Sequence, residues 1–148
     1  MSKRALPQCE FERDELTIRI DVTVNAEPGS ISAIVGAVLA IMAEMKCAAG
    51  KEFEIEAALR EALANAILHA CGNDRSKRVQ CSVACDQARG MIIIVRDPGK
   101  GFESASIPSP VVGQNVYSEH GRGIYLINQL MDEVWYERGG TEIHMRKN

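Results

Sequence analysis

The sequence predicts an α+β fold: a two-layer α/β sandwich whose mixed, mostly antiparallel sheet carries the helices on one face. Three observations predict it. Strand-like segments pair as hairpins, helical segments arrive in blocks, and a chain of 148 residues is long enough to bury one core. We expect a loose N-terminal tail at 1–9 and a single domain at 10–148.

Hydrophobic periodicity places the elements along the chain. Five segments are apolar at every second position or continuously apolar, as strands are: 16–24, 78–86, 91–95, 133–138 and 141–146. Three segments have helical character: 31–48, 52–71 and 121–131. Turn residues 86–90 and 139–140 join the later strands as hairpins. Residues 98–120 lack periodicity and predict a long loop that is functional or mobile.

Composition excludes several classes of protein. The net charge is −3, so there is no basic excess of the kind that accompanies nucleic-acid binding. The most apolar stretch, 31–45, is too short to span a membrane, and no apolar signal core precedes it, so we expect a cytoplasmic protein. The five cysteines include no CxxC pair, which favours reduced, mostly buried thiols over a zinc site.

A polar stripe crosses the otherwise apolar second helix. Glu61, Asn65 and His69 are spaced four residues apart, which puts them on one face, as in a buried helix that lines a cleft. Glu61 could act as a general base or orient a hydroxyl or water, and the amide oxygen of Asn65 suits Mg²⁺. The alternatives are a solvated helix face with an incidental Asn and a purely structural His69.

Two glycine-containing segments could approach a ligand closely. Residues 97–101, Asp-Pro-Gly-Lys-Gly, follow an apolar strand, where a carboxylate can accept a hydrogen bond from an amino group such as adenine's. Residues 121–123, Gly-Arg-Gly, stand before a helix whose free N–H groups suit a phosphate. An ordinary turn and an ordinary helix start are the alternatives. Neither segment is a Walker A loop or a dinucleotide-binding fingerprint.

In this order, the three segments resemble the N box and the first and second glycine boxes of the GHKL ATPases. Segments 61–70 and 121–134 look like those of the small bacterial anti-sigma serine kinases, and the resemblance extends over about 15–146. It implies the Bergerat fold, with ATP and Mg²⁺ as cofactors. Because that fold is often dimeric, a homodimer is a further expectation.

The resemblance also implies roles for individual residues. Glu61 would be the catalytic base toward a protein serine or threonine, Asn65 would bind Mg²⁺, and Asp97 would read adenine. Residues 102–120 would form the ATP lid. The residues implied in nucleotide binding are Asn65, His69, Asp97, Gly99, Lys100, Gly101, Gly121, Arg122 and Gly123. Lys100 and Arg122 are the local candidates for a cation that stabilises the γ-phosphate.

The function that the resemblance implies is that of an ATP-dependent protein serine/threonine kinase. Its phosphoacceptor would be an anti-anti-sigma protein of the STAS type, its other partner a sigma factor, and its effect the regulation of transcription. The alternative is a switch module in which ATP occupancy controls docking with little or no transfer. Glu61 favours the kinase, because a pure binder needs no base. Direct nucleic-acid and membrane partners are not expected.

Overall fold

The computed structural model describes residues 17–86, 88–99 and 119–148. Its sheet has the strand order β1-β2-β3-β5-β4. The strands are β1 Thr17–Asn25, β2 Arg78–Asp86, β3 Gly90–Arg96, β4 Glu133–Glu137 and β5 Glu142–Lys147. The predicted tail at 1–9 lies outside the described residues, and the division into domains stays a prediction.

The α+β sandwich is confirmed, with one correction to the sheet. A mixed sheet was expected, whereas the pairings among the described strands are antiparallel throughout. The reason is that β2–β3 and β4–β5 are hairpins, and that β3 and β5, which pair with each other, also run in opposite directions.

The helices are α1 Gly29–Met45, α2 Glu52–Ala64 and α3 Glu119–Leu130, and a π-helix, Asn65–Ala70, continues α2 without a break. α1 ends where Lys46 adopts a left-handed conformation (φ 57°) and donates its N–H to the carbonyl of Met42 at 2.7 Å. No described helix is both long and apolar enough to cross a membrane.

The core lies between one face of the sheet and the helices. The strand positions that face the helices are almost fully buried and include Val79, Cys81, Val83, Met91, Ile93, Val95 and Met145. α2 contributes Ile55, Leu59 and Leu63, which are completely buried. Burial of these side chains stabilises the fold at about 25 cal/mol per Å² of apolar area. It also holds α2 over β3, so that the end of this helix lies near the end of that strand.

The cysteines depart from the expectation that all are reduced. Cys47 and Cys85 form a disulfide, with Cα atoms 5.9 Å apart. The turn after α1 folds back over the end of β2 and brings two fully buried residues within bonding distance, a long-range contact that spacing along the chain does not reveal. Cys71 and Cys81 are free and buried, and burial raises the pKa of Cys81 to about 12.

Candidate active site

A cleft of about 620 Å³ opens at the end of α2, on the helix side of the sheet. Its walls come from the π-helix, the end of β3, the first half of α3 and the β4–β5 hairpin. The lining residues are Ala62, Asn65, Ala66, His69, Ala70, Lys77, Val95, Asp97, Pro98, Gly99, Ile124, Tyr136, Gly140, Thr141 and Ile143. The volume and the mixture of apolar walls with few polar groups are those of a small-molecule site.

The polar stripe is brought to the cleft by a helix that changes its winding. Helix 52–71 was predicted as one α-helix, but from Asn65 it is a π-helix, in which the N–H of Cys71 bonds to the carbonyl of Ala66 at 3.0 Å. A π-turn holds more residues than an α-turn, and a step of four residues from Asn65 to His69 still ends on the same side of the helix. Asn65 is half-buried and His69 is exposed, and both line the cleft.

Gly123 of α3 lies against the first two members of the stripe. A Cβ placed on this buried glycine would be 2.9 Å from Oε2 of Glu61 and 3.6 Å from both terminal amide atoms of Asn65. Any larger residue would therefore fill the space beside the carboxylate and the amide. The glycine keeps this space open, with two hard oxygen donors next to it.

Asp97 supplies an acceptor at the far wall, directly after β3. Its N–H donates to the carbonyl of Thr141 at 2.9 Å, and its Oδ1 accepts the N–H of Gly99 at 2.8 Å. Burial raises the pKa of Asp97, and the hydrogen bond from Gly99 opposes this in part. Val95 and Ile143 line the cleft nearby, so the carboxylate is one of few polar groups among apolar walls.

The fit of Gly99 is close on two sides. A Cβ at this position would lie 2.9 Å from Oδ1 of Asp97 and 3.2 Å from the carbonyl oxygen of Ala70. The segment after β3 therefore passes tightly between the carboxylate and the end of the π-helix. A side chain here would push Asp97 away from the cleft.

The structure brings six of the predicted site residues to the cleft or its edge. They are Glu61, Asn65, His69, Asp97, Gly99 and Gly123. Lys100 and Gly101 lie outside the described residues, as do residues 102–118 of the predicted lid 102–120, whose last two residues belong to α3. Gly121 and Arg122 were expected at the start of a helix, whereas α3 begins two residues earlier, at Glu119. Gly121 still lies in the first turn, where backbone N–H groups have no intrahelical acceptor.

Among the polar side chains that line the cleft, three were not predicted: Lys77, Tyr136 and Thr141. The hydroxyl of Tyr136 is buried, and this burial raises its pKa to about 12. Thr141 holds Asp97 in place through its carbonyl. The Gly-Gly-Thr sequence of the last hairpin is the only signal that could have indicated it, since the pairing of β3 with β5 is a tertiary feature.

Among the described residues, side chains of the types that bind metals cluster in two places. At the edge of the cleft, Glu61 and Asn65 offer the oxygen donors that Mg²⁺ prefers. On the opposite face of the sheet, potential ligand atoms of Glu137, Glu142 and His144 lie within 4.8 Å of one another. There, Arg96 and Arg138 contact the carboxylate of Glu142 at 2.7 and 2.8 Å, so this group forms an ion-pair network rather than a metal site.

Comparison with known proteins agrees with this geometry. A family model for the histidine kinase-like ATPase domain matches residues 24–147. The chain is also 28% identical over 137 residues to the serine-protein kinase RsbW of Bacillus subtilis (strain 168), with 86% of this chain and 84% of the relative covered. The family match runs from β1 to the end of β5 and so includes every wall of the cleft. The chain therefore belongs to the histidine kinase-like ATPase domain family, as the order of its N box and glycine boxes predicted.

Proposed function

We propose that the protein is an ATP-dependent protein serine/threonine kinase that phosphorylates an anti-anti-sigma protein of the STAS type and so controls a sigma factor by partner switching. One observation carries the proposal. The Glu61 carboxylate stands beside the space left by Gly123, at the edge of a cleft that has Asp97 at its other wall. The similarity to a serine-protein kinase supports transfer to a hydroxyl.

Asp97 would select the base of the nucleotide. An ionised carboxylate accepts hydrogen bonds and cannot donate one, so it fits the exocyclic amino group of adenine and opposes the carbonyl that guanine has there. Val95 and Ile143 would bury the faces of the ring system. Thr141 fixes the position of Asp97 by accepting its N–H.

Asn65 would hold Mg²⁺ through its amide oxygen, which is a hard ligand, and Gly123 leaves room beside it. Glu61 borders the same space and stays free to act on the hydroxyl. When bound, Mg²⁺ supplies charge neutralisation for the transferred phosphoryl group. The protein's own contribution is to keep both side chains at the mouth of the cleft.

Glu61 would act as the general base. It would accept the proton of the serine or threonine hydroxyl while the hydroxyl oxygen bonds to the γ-phosphorus and the bond to the oxygen of ADP breaks. A carboxylate base accelerates such a reaction by about 10²–10⁴-fold. Nothing in this role requires Glu61 for nucleotide affinity, which separates it experimentally from Asp97.

The test is calorimetric titration of ATP and ADP, with and without Mg²⁺, into wild type and Asn65→Ala, followed by transfer of label from γ-³²P-ATP to a STAS-domain protein of the same organism. We expect Mg²⁺-dependent binding that weakens in Asn65→Ala, and label on a serine or threonine that is lost in Glu61→Gln without loss of binding. Binding without transfer in wild type would favour the switch module. Absence of binding would refute both functions.

A further inference from the structure

A second groove, of about 980 Å³, crosses the open face of the sheet at the end nearest the cleft. Its floor is one cross-strand row formed by Thr23, Gln80, Arg96 and Glu142, which the antiparallel register sets side by side on β1, β2, β3 and β5. The cleft lies on the helix side of the same strand ends. The two cavities therefore share only the residues at this edge, among them Asp97 and Thr141.

The groove is lined by four cations: Lys77, Arg78, Arg96 and Arg138. They outnumber its two carboxylates, Asp97 and Glu142. Its positive charge contrasts with the chain as a whole, whose net charge is −3. A positive patch on a protein that is negative overall attracts a negatively charged ligand to that patch.

The cations differ in how strongly they are already engaged. Arg96 and Arg138 share the buried carboxylate of Glu142, and 77% of the Arg138 side chain is nevertheless exposed. Within residues 17–86, 88–99 and 119–148, Lys77 and Arg78 form no ion pair, and both are exposed. Lys77 and Arg78 can thus reach a ligand without breaking an ion pair, and the exposed part of Arg138 is open to a ligand as well.

The spacing of these cations fits an extended polypeptide. Arg78 is on β2, Arg96 is on β3 and Arg138 lies at the β4–β5 turn, so the positive charges spread over two to three strand spacings, roughly 10–14 Å. A single phosphate is too small to reach them together, whereas about four residues of extended chain span this length. A nucleic acid is disfavoured, because its long polyanion would also face the negative remainder of the surface.

We propose that this groove is a docking site for an acidic segment of a partner protein, with clustered Asp and Glu side chains set against Arg78, Arg138 and Lys77. The inference goes beyond the proposed function and does not depend on it, because the groove lies on the other face of the sheet from the cleft. It also places a docked partner against the strand ends that carry Asp97, the wall shared with the cleft.

Fluorescence anisotropy with a labelled peptide of alternating Asp and Glu, in the absence of nucleotide, tests the proposal. We expect binding to wild type that weakens with added salt, and that weakens at least about tenfold in the double variant Arg78→Glu/Arg138→Glu. The control is Lys46→Glu/Lys51→Glu, which makes the same change of charge at exposed positions before α2, roughly 20 Å from the cleft end of that helix. The loss of peptide affinity in this control should be less than half of the loss in the groove variant.

The milder pair Arg78→Gln/Arg138→Gln should give an intermediate loss, which keeps the test valid if the reversal variant unfolds. Equal losses in groove and control variants would overturn the proposal, as would equal binding of a matched Asn/Gln peptide. Tighter binding of single-stranded RNA than of the acidic peptide, lost in the same groove variant, would overturn it in favour of a nucleic-acid site. Because no ATP is present, failure here is distinct from failure of the kinase assay.

Discussion

Gly123 and Glu61 face each other where α3 meets α2, so closely that a Cβ on the glycine would be 2.9 Å from Oε2 of the glutamate. One residue of the second glycine box therefore sets the space available to the carboxylate of the N box. The contact joins positions 62 residues apart in the chain. It explains in steric terms why a buried position within α3 carries glycine, which is poorly suited to a helix interior.

The first prediction concerns Gly123→Ala. The added methyl group displaces the flexible end of Glu61, so we expect phosphoryl transfer to fall about 10- to 100-fold. Stability should hold or rise, because alanine favours a helix interior over glycine by about 1 kcal/mol. Single-turnover transfer and urea unfolding measure the two effects.

Gly36→Ala is the matched control for that variant. Gly36 is an exposed position of α1 with nothing within 4 Å of its absent Cβ. It should gain about 0.5–1 kcal/mol of stability and keep its activity. If Gly123→Ala kept full transfer as well, the steric role of Gly123 would be refuted.

The second prediction is that the charged Asp97 side chain lowers the stability of the nucleotide-free protein and strengthens ATP binding. Burial raises the pKa of this carboxyl above 3.8, so its contribution to stability is fully present below that value and is lost as pH rises through the folded pKa. Asp97→Asn should therefore raise the Tm of the nucleotide-free protein at pH 7, by an amount that shrinks toward pH 3. The loss of a charged acceptor should weaken ATP binding roughly 10- to 100-fold. Calorimetry measures both quantities.

Asp132→Asn provides a control in which the expected change in Tm at pH 7 has the opposite sign. The N–H of Asn148, at 2.8 Å, and the Lys147 ammonium lower the pKa of Asp132, so its stabilisation is present above 3.8 and is lost as pH falls through the folded value. This variant should lower the Tm at pH 7 and leave ATP binding unchanged. A lower Tm at pH 7 for Asp97→Asn would contradict the effect of burial at the cleft.

The third prediction concerns the Cys47–Cys85 disulfide. It links residues that are 38 positions apart and so restricts the unfolded chain. Its removal should lower the free energy of unfolding by about 3–4 kcal/mol, because the unfolded chain regains the entropy of an open loop of this size. ATP affinity should not change, because Met91, the pairing partner of Cys85, lies roughly 20 Å along β3 from Asp97. Chemical unfolding of Cys47→Ala/Cys85→Ala, with and without dithiothreitol, measures the loss.

Cys81→Ala serves as the comparison, since it removes a free buried thiol and leaves the disulfide in place. Dithiothreitol should destabilise Cys81→Ala and wild type equally and should leave the double variant unaffected. Equal stability of oxidised and reduced wild type would show that the bond adds nothing to the fold.

The fourth prediction concerns the acid stability of the open face. Burial alone would raise the pKa of Glu142, but contacts with Arg96, His144 and Arg138 outweigh it and lower the pKa below 4.5. Its stabilisation is therefore present above pH 4.5 and is lost as pH falls through the folded value. Glu142→Gln should cost about 1–3 kcal/mol at pH 7 and little at pH 3. Urea unfolding at both pH values measures the difference.

Glu44→Gln is the reference for this comparison, because Glu44 is an exposed residue near the end of α1. Its unfolding free energy should stay within about 0.5 kcal/mol of wild type at either pH. A loss for Glu142→Gln that persists unchanged at pH 3 would mean that the side chain stabilises by packing and not by charge.

The local elements could be predicted because their causes are local. Alternating apolar residues specify β1 and β2, the Gly139-Gly140 pair specifies the last hairpin, and the predicted strand bounds lie within one or two residues of those observed. The stripe Glu61, Asn65, His69 could likewise be found, because helical spacing and an apolar background are properties of a short segment. The same applies to Asp97, which ends an apolar strand.

What the sequence by itself determined was the set of elements, the two-layer class and the residues able to do the chemistry. Only the tertiary structure decided the antiparallel order β3-β5-β4 that brings Thr141 to Asp97, the π-helix that begins at Asn65, the Cys47–Cys85 bond and the contact of Gly123 with Glu61. The physical reason is range. Periodicity and turn chemistry act over a few residues, whereas these features depend on which surfaces pack together after the chain has folded.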